Sequence, residues 1–223
     1  MEKKHISLIA LYYQGKDDEL LEILESANCP VSAQKDEQKQ RFSFDTNEQD
    51  RYGNSILNLA LKNGNQKLAR ALWRSGANEM LKDKVGNVPL FLAIRQLYTD
   101  LATEMVSAMI PDGVGPELLN RYEKCSNIHD LMWSYSAFSI VVRTDEMKLG
   151  KIMLKAGANP LSQNPLDNKT PLYEASRFNR IKFVKAMLPF IPNDADKKLL
   201  EDAMYATECM EIRDMIAAKL QKM

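Results

Sequence analysis

One ladder of small and apolar residues recurs along this chain, and it restricts the fold more than any local motif does. Ala60 is followed by Gly64, Ala69, Leu72 and Trp73, at +4, +9, +12 and +13. The same spacings lead from Ala93 to Leu97, Ala102, Met105 and Val106, and from Val141 to Asp145, Gly150, Met153 and Leu154. They lead again from Ala175 to Asn179, Val184, Met187 and Leu188. At the ends, Leu11 gives Gly15, Leu20, Ile23 and Leu24, and Ala203 gives Thr207, Ile212, Met215 and Ile216. The +9, +12 and +13 positions are small or apolar every time, which puts them on one helix face. Six helix pairs in one register are therefore expected, four internal and two at the ends. A unit of about 33 residues buries too little apolar surface to stand alone, so the pairs must stack.

Local signals agree with this spacing. Thr170-Pro171 starts a helix, because Thr caps free N–H groups and Pro tolerates the first helical position. Gly76 and Gly157 are placed to end the second helix of a pair in the left-handed conformation. The best copy reads D-R-Y-G-N-S-I-L-N-L-A-L-K-N-G at 50–64 and L-A-R-A-L-W-R-S-G-A-N at 68–78. D-K-V-G-N-V-P-L-F-L-A at 83–93, K-A-G-A-N at 155–159 and N-K-T-P-L-Y-E-A at 168–175 repeat parts of it. Together these segments resemble the ankyrin repeat, with its Asp, Gly, Thr-Pro-Leu-His, Ala, Gly, Leu pair and Gly-Ala-Asp/Asn pattern. The resemblance covers nearly the whole chain. It implies an all-α fold, an ankyrin-type α-solenoid of about six stacked helix-turn-helix units forming a single domain over 1–223. The register then gives an N-terminal cap at 1–29, a polar loop insertion at 30–49, repeats at 50–82 and 83–112 and a helical insertion at 113–130. A degenerate repeat at 131–164, a repeat at 165–192 and a C-terminal cap at 193–223 complete it.

The insertions are where the period stretches, between Leu11 and Ala60 and between Ala93 and Val141. The first is polar and charged, with Phe42 and Phe44 as its large apolar residues. They either pin the loop onto the helices or form a short binding strand. The second holds Pro116 to Tyr122, which reads as an added helix with Pro at its start.

Composition narrows the function classes. Thirty basic residues balance thirty acidic ones, so no bulk field draws the protein to nucleic acid or membrane. No apolar run approaches the ~20 residues that span a bilayer. The apolar stretch Ile6 to Tyr13 runs into Gln14-Gly15-Lys16-Asp17-Asp18 without a small-residue cleavage site, so it reads as the first helix of the cap rather than a signal peptide. Cys29, Cys125 and Cys209 are odd in number and far apart, which fits reduced thiols and a cytoplasmic location. Cys125 and His129, four apart, provide two potential metal ligands where zinc needs four; with Asp130 they suggest a nucleophile and base, but catalytic partners normally come from separate elements of a pocket. P-loop, G-x-G-x-x-G, H-E-x-x-H and G-x-S-x-G motifs are absent. No cofactor, no metal and no enzymatic activity are expected. An enzyme that uses the 111–130 insertion through Cys125 and His129 is the weaker reading. Met105, Met153, Met187 and Met215 all fall on the ladder, so they are assigned to the core rather than to an adaptable binding surface.

The ankyrin resemblance further implies that the turn tips and the exposed end of each first helix line a concave groove where protein partners bind. Two residues after the anchor stand Lys62, Arg95, Arg143 and Arg177, a cation in every internal unit, with Tyr13 and Tyr205 in the caps. The tips add Arg51 and Tyr52, then Lys84, then Trp133 and Tyr135; Phe178 adjoins Arg177. Aromatics beside cations are the usual material of interface hot spots. The candidate partner-binding residues are thus Arg51, Tyr52, Lys62, Lys84, Arg95, Trp133, Tyr135, Arg143, Arg177 and Phe178. They suit an acidic or phosphorylated segment of a partner protein; the plain alternative is a solvated charged face. A monomer is expected. Small stand-alone ankyrin proteins also include secreted bacterial effectors acting on host proteins, which would place the chain in a host cytosol.

Overall fold

Short helices begin here where a hydroxyl or amide side chain can accept a hydrogen bond from the first turn. Ser7, Ser55, Asn65, Ser136 and Thr170 each do so, three residues ahead of the donor. Proline occupies the first turn of the helices that begin at Pro89 and Pro171. The structure, a computed structural model, describes residues 4–27, 42–111, 116, 119–120 and 135–223. Its helices come in pairs: α1 (Leu8–Tyr13) with α2 (Asp17–Ala27), α3 (Ile56–Lys62) with α4 (Gln66–Arg74), and α5 (Pro89–Arg95) followed by α6 (Thr99–Met109). Then come α7 (Ala137–Arg143) with α8 (Met147–Lys155), α9 (Pro171–Arg177) with α10 (Ile181–Met187), and α11 (Lys197–Tyr205) with α12 (Met210–Leu220).

Each turn within a pair is made by the +4 residue of the ladder. Gly15, Gly64, Leu97, Asp145 and Asn179 all adopt left-handed φ, from 53° to 79°. Glycine takes that conformation without cost and Asn or Asp tolerate it. Leu97, at φ 58°, is the costly member. Thr207, at the same position in the last pair, donates its hydroxyl to Asn179 Oδ1 at 2.6 Å.

The chain forms two compact units, Met1–Tyr98 and Thr99–Met223. In the N-terminal unit the first helices α1, α3 and α5 pack in sequence, and α2 packs on α4. In the C-terminal unit α7, α9 and α11 pack in sequence, and so do α6, α8, α10 and α12. The ladder supplies these contacts. Ala60, Ala93, Ala175 and Ala203 are wholly buried, as are Leu72, Met105, Met153 and Met187. Each such large side chain contributes about 1.5–3 kcal/mol relative to an exposed one. The methionines thus sit in the core, with Met215 only partly covered.

Three local features depart from or extend the sequence reading. The N-terminal segment is not helical from Ile6. Lys4–His5 pairs in parallel with Phe42–Ser43, and helix α1 starts at Leu8 after the Ser7 cap. The strand at Phe42 thus pairs within this chain, and Phe44 is half-buried. Of the predicted helix at 116–122, the described residues Pro116, Leu119 and Asn120 show helical hydrogen bonding from Asn120 N–H to Pro116 O at 3.3 Å. Leu119 is wholly buried, and Asn120 joins Gly157 O and Asn159 N–H. Cys29, Cys125, His129, Trp133 and most of the 30–49 loop lie outside the described residues. Among the described residues no helix is long and apolar enough to cross a membrane.

Candidate protein-binding surface

In the N-terminal unit the surface is built on two turn tips of identical chemistry, D-x-x-G-N at 50–54 and 83–87. Asp50 Oδ1 accepts the backbone N–H groups of Tyr52 and Asn54, both at 2.8 Å, and Oδ2 accepts Asn54 Nδ2 at 2.9 Å and the Tyr13 hydroxyl at 2.8 Å. Asp83 Oδ1 accepts the N–H groups of Val85, Gly86 and Asn87 at 2.8–2.9 Å, and Oδ2 accepts Asn87 Nδ2 at 2.9 Å. Each carboxylate folds its own tip. Burial pushes both carboxyls up, but the hydrogen bonds outweigh it. Asp50 is held at about 2, and Asp83, helped by Lys62, lies below the ordinary carboxylate range. The Tyr13 hydroxyl, which donates to Asp50, is pushed up by that bond.

The two tips are tied together. Lys84 N–H donates to Tyr52 O at 3.1 Å. Lys62 Nζ, at the end of α3, donates to Asn54 Oδ1 of one tip at 2.6 Å and Asp83 Oδ2 of the next at 2.7 Å. The Asp83 side chain is 1% exposed. Lys62 therefore satisfies a buried charge of its own chain. Outside this network Arg51 lies over the Tyr52 ring, 4.7 Å from its centre, and Tyr52 is 55% exposed. Arg51 and Lys84 are exposed and make no ion pair among the described residues.

The C-terminal unit solves the same problem differently. Its tip begins with Asn164, which accepts Leu166 N–H at 3.0 Å; the tip is one residue longer, and Asn168 takes the left-handed conformation. An amide there offers no counter-charge to the preceding cation. Arg143, at the end of α7, instead reaches Glu174 on α9, Nη1 to Oε2 at 3.1 Å. The Glu174 side chain is 2% exposed and its Oε1 accepts no hydrogen bond from the described residues. Burial pushes its carboxyl above the usual range in spite of Arg143 and Arg177. The Arg143 guanidinium also stacks on two rings, 4.3 Å from the centre of Tyr135 and 5.0 Å from that of Phe178. Arg177 lies 5.7 Å from the Phe178 ring centre and is exposed. Nearby, Lys169, in the tip that precedes α9, covers the Tyr173 ring on that helix at 4.1 Å.

Solved structures place this architecture. An ankyrin repeat domain from Acinetobacter baumannii AYE superposes over 91% of this chain and 94% of its own, with a TM-score of 0.57 and 18% identity. A second ankyrin repeat protein covers 94% of this chain and 96% of its own, with a TM-score of 0.55 and 18% identity. The protein has the ankyrin-repeat fold. At that identity the likeness reaches the fold alone. No protein-family model and no curated protein matches the sequence.

Against the ankyrin register, the ten candidate residues separate into groups. Arg51, Tyr52, Lys62, Lys84 and Arg95 belong to the N-terminal unit, and Tyr135, Arg143, Arg177 and Phe178 to the C-terminal unit. Trp133 lies outside the described residues. Lys62 and Arg143 each neutralise a buried carboxylate of the following repeat. Arg95 is partly buried and also interacts within the fold. Arg51, Lys84 and Arg177 face solvent. The sequence reading missed the acids that sort them, Asp83 and Glu174. The recurring D-x-x-G-N spacing carried the signal for Asp83. For Glu174 the available sign was an acid directly before the anchor, where the N-terminal unit has Leu59 and Leu92. Among the described residues no group of His, Cys, Asp and Glu could hold a metal ion.

Proposed function

We propose that this chain is a non-catalytic protein-interaction module that receives an acidic segment of a partner protein on its turn tips and first-helix ends. One observation carries the reading. Arg51 and Arg177 are exposed beside aromatic rings and make no ion pair among the described residues, whereas Lys62 and Arg143 are paired with Asp83 and Glu174. An exposed cation seated on a ring keeps its charge available and loses less side-chain freedom on binding. Tyr52 and Phe178, 55% and 38% exposed, supply rigid aromatic area beside them.

The test is quantitative affinity purification with wild-type protein and the Arg51→Glu/Arg177→Glu variant in parallel, from cells that carry the gene. The reading expects a partner protein with an acidic segment to be recovered with the wild type and lost with the variant, at unchanged circular dichroism. Recovery of the same proteins in the same yield by both overturns it.

A further inference from the structure

In the C-terminal unit two rings and two guanidinium groups lie within cation–π distance of one another. Tyr135, the Arg143 guanidinium, the Phe178 ring and the Arg177 guanidinium follow one another at 4.3, 5.0 and 5.7 Å. Among these groups Arg143 has two rings and a buried carboxylate as partners. Arg177 has one ring, no ion pair and no hydrogen bond among the described residues. It differs from Arg143 by lacking a second ring and a carboxylate at ion-pair distance, since Glu174 gives its ion pair to Arg143. At the same register position on α11, which packs against α9, stands Tyr205, 73% exposed.

We propose that Arg177 is completed by a partner peptide carrying an aromatic side chain beside an Asp or Glu, the ring extending the stack and the carboxylate pairing with the guanidinium edge. The inference rests on the interaction-module reading above and gives the partner its chemistry at this unit. A planar guanidinium presents a flat face for stacking and paired N–H donors along its edge, which an aromatic–acidic pair complements and an aliphatic–acidic pair only half complements. Nucleic acid would also stack, but it requires a run of free cations for its phosphates. Here Arg143 is neutralised by Glu174 and the chain carries a net charge of +0.

The experiment titrates the isotope-labelled full chain with the blocked peptide Gly-Asp-Trp-Asp-Gly and follows the arginine Nε–H signals by NMR. The proposal expects a saturable ring-current shift of the Arg177 signal. Replacing Trp by Leu weakens binding about threefold, and Arg177→Ala weakens it about fivefold, the upper end of an exposed cation–ring contact. Arg177→Lys, which keeps charge and loses the planar face, gives an intermediate loss. Arg177 is exposed, so its variants keep the wild-type unfolding midpoint, and Lys67→Ala, an exposed cation on α4 that the proposed surface does not use, leaves the titration unchanged. Equal binding of the Trp and Leu peptides, undiminished binding by Arg177→Ala, or no saturable shift up to about 1 mM peptide, the edge of weak recognition, overturns the proposal. So does a stronger response to an oligothymidylate than to the peptide. Partner capture that depends on Arg51 and Arg177 while the peptide is inert would sink the stack alone and leave the module reading standing.

Discussion

Replacing Asp83 by Asn removes one charge and almost no volume, so it isolates the electrostatics of a turn tip. Asp83 accepts five hydrogen bonds, three at Oδ1 from backbone N–H groups and two at Oδ2 from Asn87 and Lys62. An amide there retains the backbone three only by turning its NH2 toward Asn87 Nδ2 and Lys62 Nζ, both donors. Both of the bonds then lost are charge-assisted, because the acceptor is an ionised carboxylate, and each is worth about 1.5–3 kcal/mol before the donors are resolvated. Lys62, whose side chain is 34% exposed, can turn to water and recover part of this. The expected cost is about 2–3 kcal/mol at pH 7, read by urea unfolding of both proteins. The pH dependence has a definite sign. The folded Asp83 carboxyl lies below its unperturbed value of 3.8, so its stabilisation is present above pH 3.8 and is lost as pH falls through the lower folded value. The gap between wild type and Asp83→Asn must therefore narrow as the pH is taken below 3.8. A cost under about 0.5 kcal/mol at pH 7, the range of an ordinary surface change, or a gap that does not vary with pH, refutes the reasoning.

Other outcomes follow from single positions. Gly150 stands where other repeats have Ala69 and Ala102, so alanine looks like an improvement by pattern. Its Cβ would come 2.7 Å from Cζ of the wholly buried Phe183, and overpacking of about 1–3 kcal/mol exceeds a helix-propensity gain of up to about 1; urea midpoints should fall for Gly150→Ala. Leu97→Asn should raise stability by about 0.5–1 kcal/mol in the same assay, because Leu97 is 52% exposed and left-handed where Asn179 stands in a later repeat. Glu174 has its folded carboxyl raised above 4.5, so the stability linked to its protonation is full below pH 4.5 and lost as pH rises through the folded value. Glu174→Gln should therefore gain on wild type in thermal unfolding between pH 4 and pH 7, and a relative loss over that range would show that the Arg143 pair outweighs burial.

The helix pairs were legible because a ladder of small and apolar residues is a local, periodic signal. The left-handed +4 turns repeat it even where Leu97 replaces glycine. The parallel pairing of Lys4–His5 with Phe42–Ser43 was not legible, since a two-residue ladder between distant segments leaves no period behind. The register of the candidate residues was legible, and their partners within the fold were not. Lys62, Arg143 and Arg177 occupy the same register, and what separates them is an acid elsewhere in the chain. That acid sits at the tip in one unit, Asp83. It sits on the helix in the other, Glu174, because Asn164 has taken the tip. Charge partnership is a property of three-dimensional distance, and a one-dimensional register cannot report it.

The central claim is that this cation row is divided between residues that hold the fold and residues left for a partner. Thermal unfolding of four single variants, Lys62→Met, Arg143→Met, Arg51→Met and Arg177→Met, tests it most directly. The first two leave a buried carboxylate without its cation and should lower the midpoint by about 3–8 °C, the equivalent of about 1–2 kcal/mol in a chain of this length. Arg51→Met and Arg177→Met should stay within about 1–2 °C of wild type, as exposed cations without ion pairs require. Equal shifts for all four variants would contradict the division.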